Sequence, residues 1–519
     1  LTPRELALKK DGDLLGVSVF WPCVGGILLI AVLLRIPMLE SRPLWLDETY
    51  SAWFSAMPLR ELWSEVPAYE THPPLYYSLL KGWRVFFGAG EAGLRSLSVL
   101  ASVATVFLLS ISGRLLGTGM KGEGVSLVAG LLLAVNAGSV KYAQEARPYA
   151  LETLAVMCAL VAAAGLFRAS CGRPILRSHA PVFWTVALGL SGGLLLWCHN
   201  TALFVAFGIW CALGVAVLSS DSTRKGRMFA LAFLAGIGAL LIWAPFLPWF
   251  ISQSQSFGTM RFWIAPMRFD LVSAWILAGG GPGPAALAVL LGGAGGVALW
   301  RCHRPLLAGL CVVLVLPLSL VLTLSFLMKP IYLDRLFGWM APPLMLLAAC
   351  GIVGVFKSPP IRIAVCGVVL VASLRMVIYG YAAAPAEDFR TLTAELTARA
   401  RPGDIVVAIP NELNVALHYY ASEAGFPEVV YLPGPFPFLS QAGNRSHVGN
   451  LGAPQVVAAD VVDLDARLAD HPRIWLVTRR PDLYDPGNLV LTAIARMSRP
   501  AVELHFGLVK VALFERAAP

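Results

Sequence analysis

Long apolar runs recur along most of the chain, at 15–37, 94–116, 124–140, 148–168, 182–198, 201–218, 228–250, 284–300, 306–327, 334–355 and 361–382. The hydrocarbon core of a bilayer is crossed by about 17–25 residues of helix, so each run predicts a transmembrane span. Two further stretches are ambiguous: 73–88, led by Pro73-Pro74, and 271–280, which is too short to cross alone. Each reads as interfacial, re-entrant or a real span, so the pattern predicts about 11–13 spans in all. From about Ala383 the runs give way to charges, prolines and short alternating elements. There 387–401, 411–425 (with Asn411 as N-cap) and 462–471 read as helices, and 404–410, 428–434, 474–480 and 502–516 as strands. The expected architecture is a polytopic α-helical membrane protein with a small C-terminal α/β domain. Residues 1–382 form the transmembrane part, with a first extracytoplasmic loop over 38–93, and residues 383–519 form the soluble domain.

Composition agrees: 57% of the 519 residues are hydrophobic and 14% charged, with mean hydropathy +0.70, far too apolar for a soluble chain of this size. The net charge of +9 would suggest nucleic acid in a soluble protein. Here the basic residues sit in short loops and orient helices instead, so nucleic acid is excluded as a partner. With the N-terminus inside, the cytoplasmic loops carry Arg114/Lys121, Arg168/Arg173/Arg177, Arg224/Lys225/Arg227, Arg301/Arg304 and Lys357/Arg362. The opposite loops carry Asp47, Glu48, Glu61, Glu65, Glu70, Glu91 and Glu145, with His72, His199 and Asn200. An odd number of spans then places these polar residues and the C-terminal domain on one extracytoplasmic face. Arg4, Lys9 and Lys10 precede the first run, which reads as an uncleaved signal anchor. The nine cysteines form no CxxC pair, so neither a disulfide framework nor a zinc site is indicated. No GxGxxG follows a predicted strand, and GGAGG at 292–296 reads as helix packing within a membrane run.

The residues that can carry chemistry cluster in the stretch from Leu44 to Leu75. Asp47 and Glu48 are open to two readings: a helix start, where carboxylates satisfy free N–H groups and the dipole, or a base that takes a proton from a hydroxyl nucleophile. In Glu70-Thr71-His72-Pro73-Pro74 the two prolines restrict the chain and aim the preceding side chains. His72 can hydrogen-bond a phosphate, and Glu70 with His72 can contribute to a divalent-metal site, although no cofactor is certain. Lys141, Glu145, Arg147 and Tyr149 lie in the next outside loop and helix start, and Lys329 and Arg335 bracket a later one. Such cations either snorkel to the interface or together form an anion site, since the guanidinium fork matches phosphate. His199 reads either as an ordinary satisfied polar residue or as a ligand.

In order, LDETYSAW, ETHPPLYY, QEARPYAL and DRLFGWMAPPL, followed by an extracytoplasmic domain, resemble the GT-C superfamily of membrane glycosyltransferases. The branch resembled contains the protein O-mannosyltransferases and the lipid A aminoarabinose transferases, and the similarity covers about residues 15–355. It implies a sugar donor carried on polyprenyl phosphate and used at the periplasmic face of the bacterial inner membrane. The family's first-loop acid, thought to activate the acceptor, matches Asp47, with Glu48 beside it. The proline-pair motif matches His72-Pro73-Pro74. The aminoarabinose transferases have Lys where His72 stands and Glu directly before it, whereas here Thr71 takes that place and the carboxylate is Glu70. The family's phosphate-side arginines correspond to Arg147 and Arg335. The expected function is therefore an inverting glycosyltransferase. Asp47 deprotonates the acceptor hydroxyl, and His72, Arg147, Lys329 and Arg335 stabilise the leaving phosphate. The acceptor would be a cell-envelope glycan, lipid or protein. The alternatives are a transporter or flippase of a lipid-linked sugar, which usually shows paired repeats and ionisable groups at the bilayer midplane, an oligosaccharide ligase, or a structural subunit.

Overall fold

The computed structural model describes residues 19–171, 181–259, 264, 272–421, 425–439, 446–447 and 450–516. The basic residues Arg4, Lys9, Lys10, Arg173 and Arg177 lie outside the described residues.

Every predicted run is helical in its described residues, some of them in two pieces. After α1 (Phe20–Arg35), the first loop holds α2 (Leu46–Ala56), α3 (Leu59–Ser64) and α4 (Leu75–Phe87). Then come α5 (Glu91–Leu115), α6 (Gly119–Ala134), α7 (Ala137–Ala143), α8 (Tyr149–Ser170), α9 (Pro181–Leu196) and α10 (Ala202–Leu218). The later frame is α11 (Lys225–Trp243), α12 (Leu247–Thr259), α13 (Ser273–Gly279), α14 (Pro282–Cys302), α15 (Arg304–Leu327), a 3-10 turn (Asp334–Met340) running into α16 (Ala341–Val355), and α17 (Pro359–Ala382). Among the described residues seven helices are long and apolar enough to cross a bilayer, the bent pair α6–α7 makes an eighth, and α1, α9 and α10 are shorter apolar helices.

Three of the expectations change in detail. The 124–140 run is two helices meeting at 62° rather than one straight span. Asn136 caps α7 by accepting the Ser139 N–H at 2.8 Å and donates to the Ala278 carbonyl at 2.9 Å. The buried Arg35 guanidinium donates to the Ala134 and Leu133 carbonyls. Those side chains satisfy the backbone groups that the break releases, which hydrocarbon would otherwise leave unpaired. The 271–280 stretch is a seven-residue helix that ends where Gly280 adopts φ 85°. The 73–88 stretch is amphipathic: α4 buries Tyr76, Tyr77 and Leu80 while Val85, Phe86 and Phe87 stay exposed.

The GGAGG segment does pack helices. A Cβ on Gly295 would lie 2.0 Å from the Leu347 carbonyl oxygen, and one on Gly351 2.0 Å from that of Leu291, so α14 and α16 touch backbone to backbone. All nine cysteines are free.

After α17 the chain forms α18 (Phe389–Arg399), β1 (Ile405–Ile409), α19 (Leu413–Tyr420), β2 (Glu428–Tyr431), α20 (Leu464–Arg467), β3 (Arg473–Arg479), α21 (Pro481–Tyr484), α22 (Leu489–Met497), β4 (Arg499–Phe506) and β5 (Val509–Glu515). The sheet order is β2-β1-β3-β5-β4. β1 is parallel to β2 and β3, pairing Val407 with Val430 and Leu476, while β5 runs antiparallel to β3 and β4. The expected final strand 502–516 is thus a hairpin, because Gly507 at φ 68° turns the chain. Helix α22 was not expected, and the 462–471 helix shrinks to the four residues of α20. Asn411 does not cap α19: Glu412 holds that position, and the Asn411 amide donates to the Gly452 carbonyl at 3.0 Å.

Strand alternation assigns the two faces of the sheet to different cores. Ile405, Val407, Ile474 and Leu476 pack with Leu464, Val490 and Ile494. On the other face Val406, Ala408, Trp475, Val477 and Val511 share one core with Leu44, Leu46, Phe54, Tyr77 and Leu80 of the first loop. The C-terminal sheet domain and the first loop therefore bury each other.

Candidate active site

Helix α2 presents two adjacent carboxylates, and the 100° step of a helix sends them to opposite environments. Its start is fixed by Trp45, in extended conformation at the N-cap, and acidic residues in a first turn suit the helix dipole. Glu48 points inward and is fully buried. Its carboxylate receives Arg95 Nε at 2.8 Å and Nη2 at 2.6 Å, plus the Ala146 N–H at 2.8 Å. Arg95 spends its remaining donors on the carbonyls of Leu39, Arg42 and Pro43. All five guanidinium N–H groups are used, so this pair pins the first loop to α5. Glu48 thus leaves the group of reacting carboxylates suggested by sequence and becomes a structural anchor.

Asp47 faces the other way, with 22% of its side chain exposed. Its Oδ2 lies 3.3 Å from Arg335 Nη1 and 3.9 Å from Arg147 Nη2, while Arg147 Nη1 donates to the Asp47 carbonyl at 3.0 Å. Burial alone would push its pKa up, but the charges of Arg335 and Arg147 outweigh it and hold the carboxyl below its usual range. The Arg335 guanidinium also stacks on the Trp45 ring, 5.4 Å from its centroid.

The chain of contacts continues through Arg147 to the proline-pair motif. Arg147 Nη2 lies 3.0 Å from His72 Nε2. A guanidinium only donates, so Nε2 accepts and the His72 proton resides on Nδ1, where it meets Glu70 Oε1. Glu70 also accepts the His72 N–H at 2.9 Å, and despite burial its carboxyl is held below its usual range by His72 and Arg147. His199 packs edge-on against the His72 ring, centroids 4.8 Å apart, and its Nδ1 accepts the Thr201 N–H at 3.0 Å. Burial and the positive neighbours keep its pKa well below 6.5, so it stays neutral. Asn200 and Gln253 hold this turn through the Thr71, Pro67 and Glu70 carbonyls. Tyr149, buried, lies 6.0 Å under the Arg147 guanidinium.

Asp47, Glu70, His72, Arg147, Tyr149, His199 and Arg335 are therefore brought together. Lys141 sits to one side, exposed, over the Tyr142 ring at 5.1 Å. Lys329 is half-buried in the loop after α15. The metal reading fits poorly. Among the described residues no three His, Cys, Asp or Glu side chains gather as a metal site, and the His72 nitrogen beyond Glu70 already faces a guanidinium.

Sequence reasoning passed over Arg95, whose charge inside an apolar run was a usable signal, and it named Glu145, two residues before Arg147, only as a polar residue of the outside loop. Burial raises the Glu145 carboxyl to about 7, with Arg335 and Arg147 among the charges acting on it. Its ionisation as pH rises adds a negative charge beside the arginines. Binding of a phosphodiester, which does not titrate in this range, is expected to weaken as pH rises through about 7. Glu145→Gln should flatten that dependence, as read by titration with a polyprenyl-phosphate-linked sugar, a diester, at pH 6 to 8, roughly one unit either side of the midpoint. An unchanged slope would remove Glu145 from the site.

The helical frame, the first loop with its carboxylate-bearing helix and the following sheet domain make a fold that solved structures share. Two solved structures of ArnT from Cupriavidus metallidurans match over nearly the whole chain. The apo form has TM-score 0.61 and 13% identity, covering 94% of this chain and 97% of that one. The form bound to undecaprenyl phosphate has TM-score 0.61 and 14% identity, covering 96% and 98%. The oligosaccharyltransferase of Archaeoglobus fulgidus, in complex with an inhibitory peptide and a dolichol-phosphate, matches with TM-score 0.54 and 11% identity, covering 93% of this chain and 72% of that one. No family model matches the sequence, and no curated protein does.

Proposed function

We propose that the chain is an inverting glycosyltransferase that moves a sugar from polyprenyl phosphate to an acceptor hydroxyl at the periplasmic face of the inner membrane. The observation that carries the proposal is the Asp47 carboxylate held between Arg335 and Arg147, with Arg147 Nε buried and, among the described residues, lacking an acceptor. Two guanidiniums around one small anion can take a phosphate, and a phosphate arriving there competes with Asp47 for them. That exchange loosens the ion pairs that make Asp47 a weak base and raises its basicity as the donor binds.

In the reaction Asp47 takes the acceptor proton while the acceptor oxygen bonds to the anomeric carbon. The bond from that carbon to the phosphate oxygen breaks on the opposite face, which inverts the configuration. Arg147 and Arg335 take up the charge that develops on the leaving phosphate. Glu70 and His72 keep Arg147 aimed, through the Nδ1 and Nε2 contacts. The prenyl chain lies between the membrane helices, so no nucleotide-sugar fold is required.

Arg335→Ala tests the phosphate assignment, because Arg335 is partly exposed and can be removed without emptying the core. Affinity for undecaprenyl phosphate is expected to fall about ten- to a hundredfold, the loss of a charged hydrogen-bond partner. Arg147→Ala should lose at least as much. Wild-type affinity in both variants would make these arginines interfacial anchors and end the proposal.

A further inference from the structure

The first turn of α2, which carries Asp47, is gripped from the C-terminal domain. The Leu44 N–H donates to Tyr420 Oη at 2.6 Å, and the Leu46 N–H to Glu387 Oε2 at 2.9 Å. One turn further on, Tyr50 Oη donates to Glu412 Oε2 at 3.0 Å. Arg479, the last residue of β3, joins the two carboxylates: its Nε donates to Glu387 Oε1 at 2.7 Å and its Nη1 to Glu412 Oε1 at 3.2 Å. Tyr484 Oη completes Glu412 at 3.0 Å. Both glutamates are buried, and each of their four oxygens has a partner. Apolar side chains in this position would give a stronger interface than a buried ion network. What the network adds is direction. It binds the Leu46 N–H on one side of Asp47 and the Tyr50 hydroxyl on the other, and so sets the rotation and height of that turn.

We propose that Glu387, Glu412 and Arg479 are positioning residues for Asp47, which makes the C-terminal domain one wall of the active site. The proposal rests on the reading of Asp47 as the base. None of the three touches the Asp47 carboxylate by hydrogen bond, and they act by holding α2. The charge of Arg479 also favours the ionised form of Asp47.

The test uses the full-length protein and follows release of undecaprenyl phosphate from a panel of undecaprenyl-phosphate-linked hexoses and pentoses, with membrane extract as acceptor. Arg479→Ala is expected to lower kcat about ten- to a hundredfold, the effect of displacing a reacting group by about an ångström. Arg479→Lys should recover part of the loss. Tyr50→Phe, which removes one hydrogen bond and keeps the ring, should lower kcat about three- to tenfold. In all three the Kd for undecaprenyl phosphate should stay within about twofold of wild type, because the arginines of the phosphate site are untouched. If Arg479→Ala does not fold, Tyr50→Phe and Glu412→Gln decide the matter. Wild-type kcat in the folded variants overturns the proposal, as does a parallel loss of kcat and phosphate affinity. Full activity of Asp47→Asn, or no turnover by the wild type, instead overturns the underlying assignment of the site.

Discussion

Asp47→Asn is expected to lose about 100- to 10,000-fold in turnover, the usual contribution of a positioned general base, while the protein stays folded. Asn keeps the size and a carbonyl oxygen toward Arg335 and Arg147, so the first turn of α2 is not emptied. If the carboxylate served only as a helix start, its replacement would cost about 1 kcal/mol of stability and leave turnover intact. The two roles therefore separate in one pair of measurements, turnover and thermal stability. Binding of undecaprenyl phosphate supplies a third sign. Asp47 competes with a phosphate for the same guanidiniums, so the Asn variant should bind it as tightly as wild type or more tightly. Near-normal turnover would remove Asp47 from the chemistry.

The neighbouring carboxylate should behave in the opposite way. Glu48→Gln breaks a buried bidentate pair in which Glu48 is wholly buried and Arg95 nearly so. Leaving a buried guanidinium without its counter-charge typically costs about 3–5 kcal/mol. The expected result is a large drop in detergent thermal stability and in yield. The molecules that do fold should turn over at close to the wild-type rate, because Glu48 offers no oxygen to the cleft. Arg95→Leu should reproduce the instability. A stable but inactive Glu48→Gln would transfer the base role by one residue.

Together these two variants mark where residue order stops being informative. Asp47 and Glu48 are both acidic, adjacent and at a helix start, and nothing local distinguishes them. The distinction comes from Arg95, tens of residues away, and from the rotation of α2 against α5. His72 is similar: the prolines after it announce a directed side chain, but its tautomer depends on Arg147 from another loop.

What the sequence alone determined is what hydrophobicity and charge determine locally. The run lengths identified the helices, because hydrocarbon demands about 17–25 consecutive apolar residues and admits no exposed backbone. The strands of the C-terminal sheet were legible as short β-branched runs, a short-range requirement of a buried sheet. The tertiary structure alone decided the rest. The break at Asn136 exists because Arg35 and Ala278 come from elsewhere to satisfy it. The clamp on α2 exists because Glu387, Glu412 and Arg479, more than three hundred residues further along the chain, return to its first turn. Such contacts join partners at arbitrary separations, so no periodicity encodes them, and a carboxylate that will be buried looks like any other until its partner arrives.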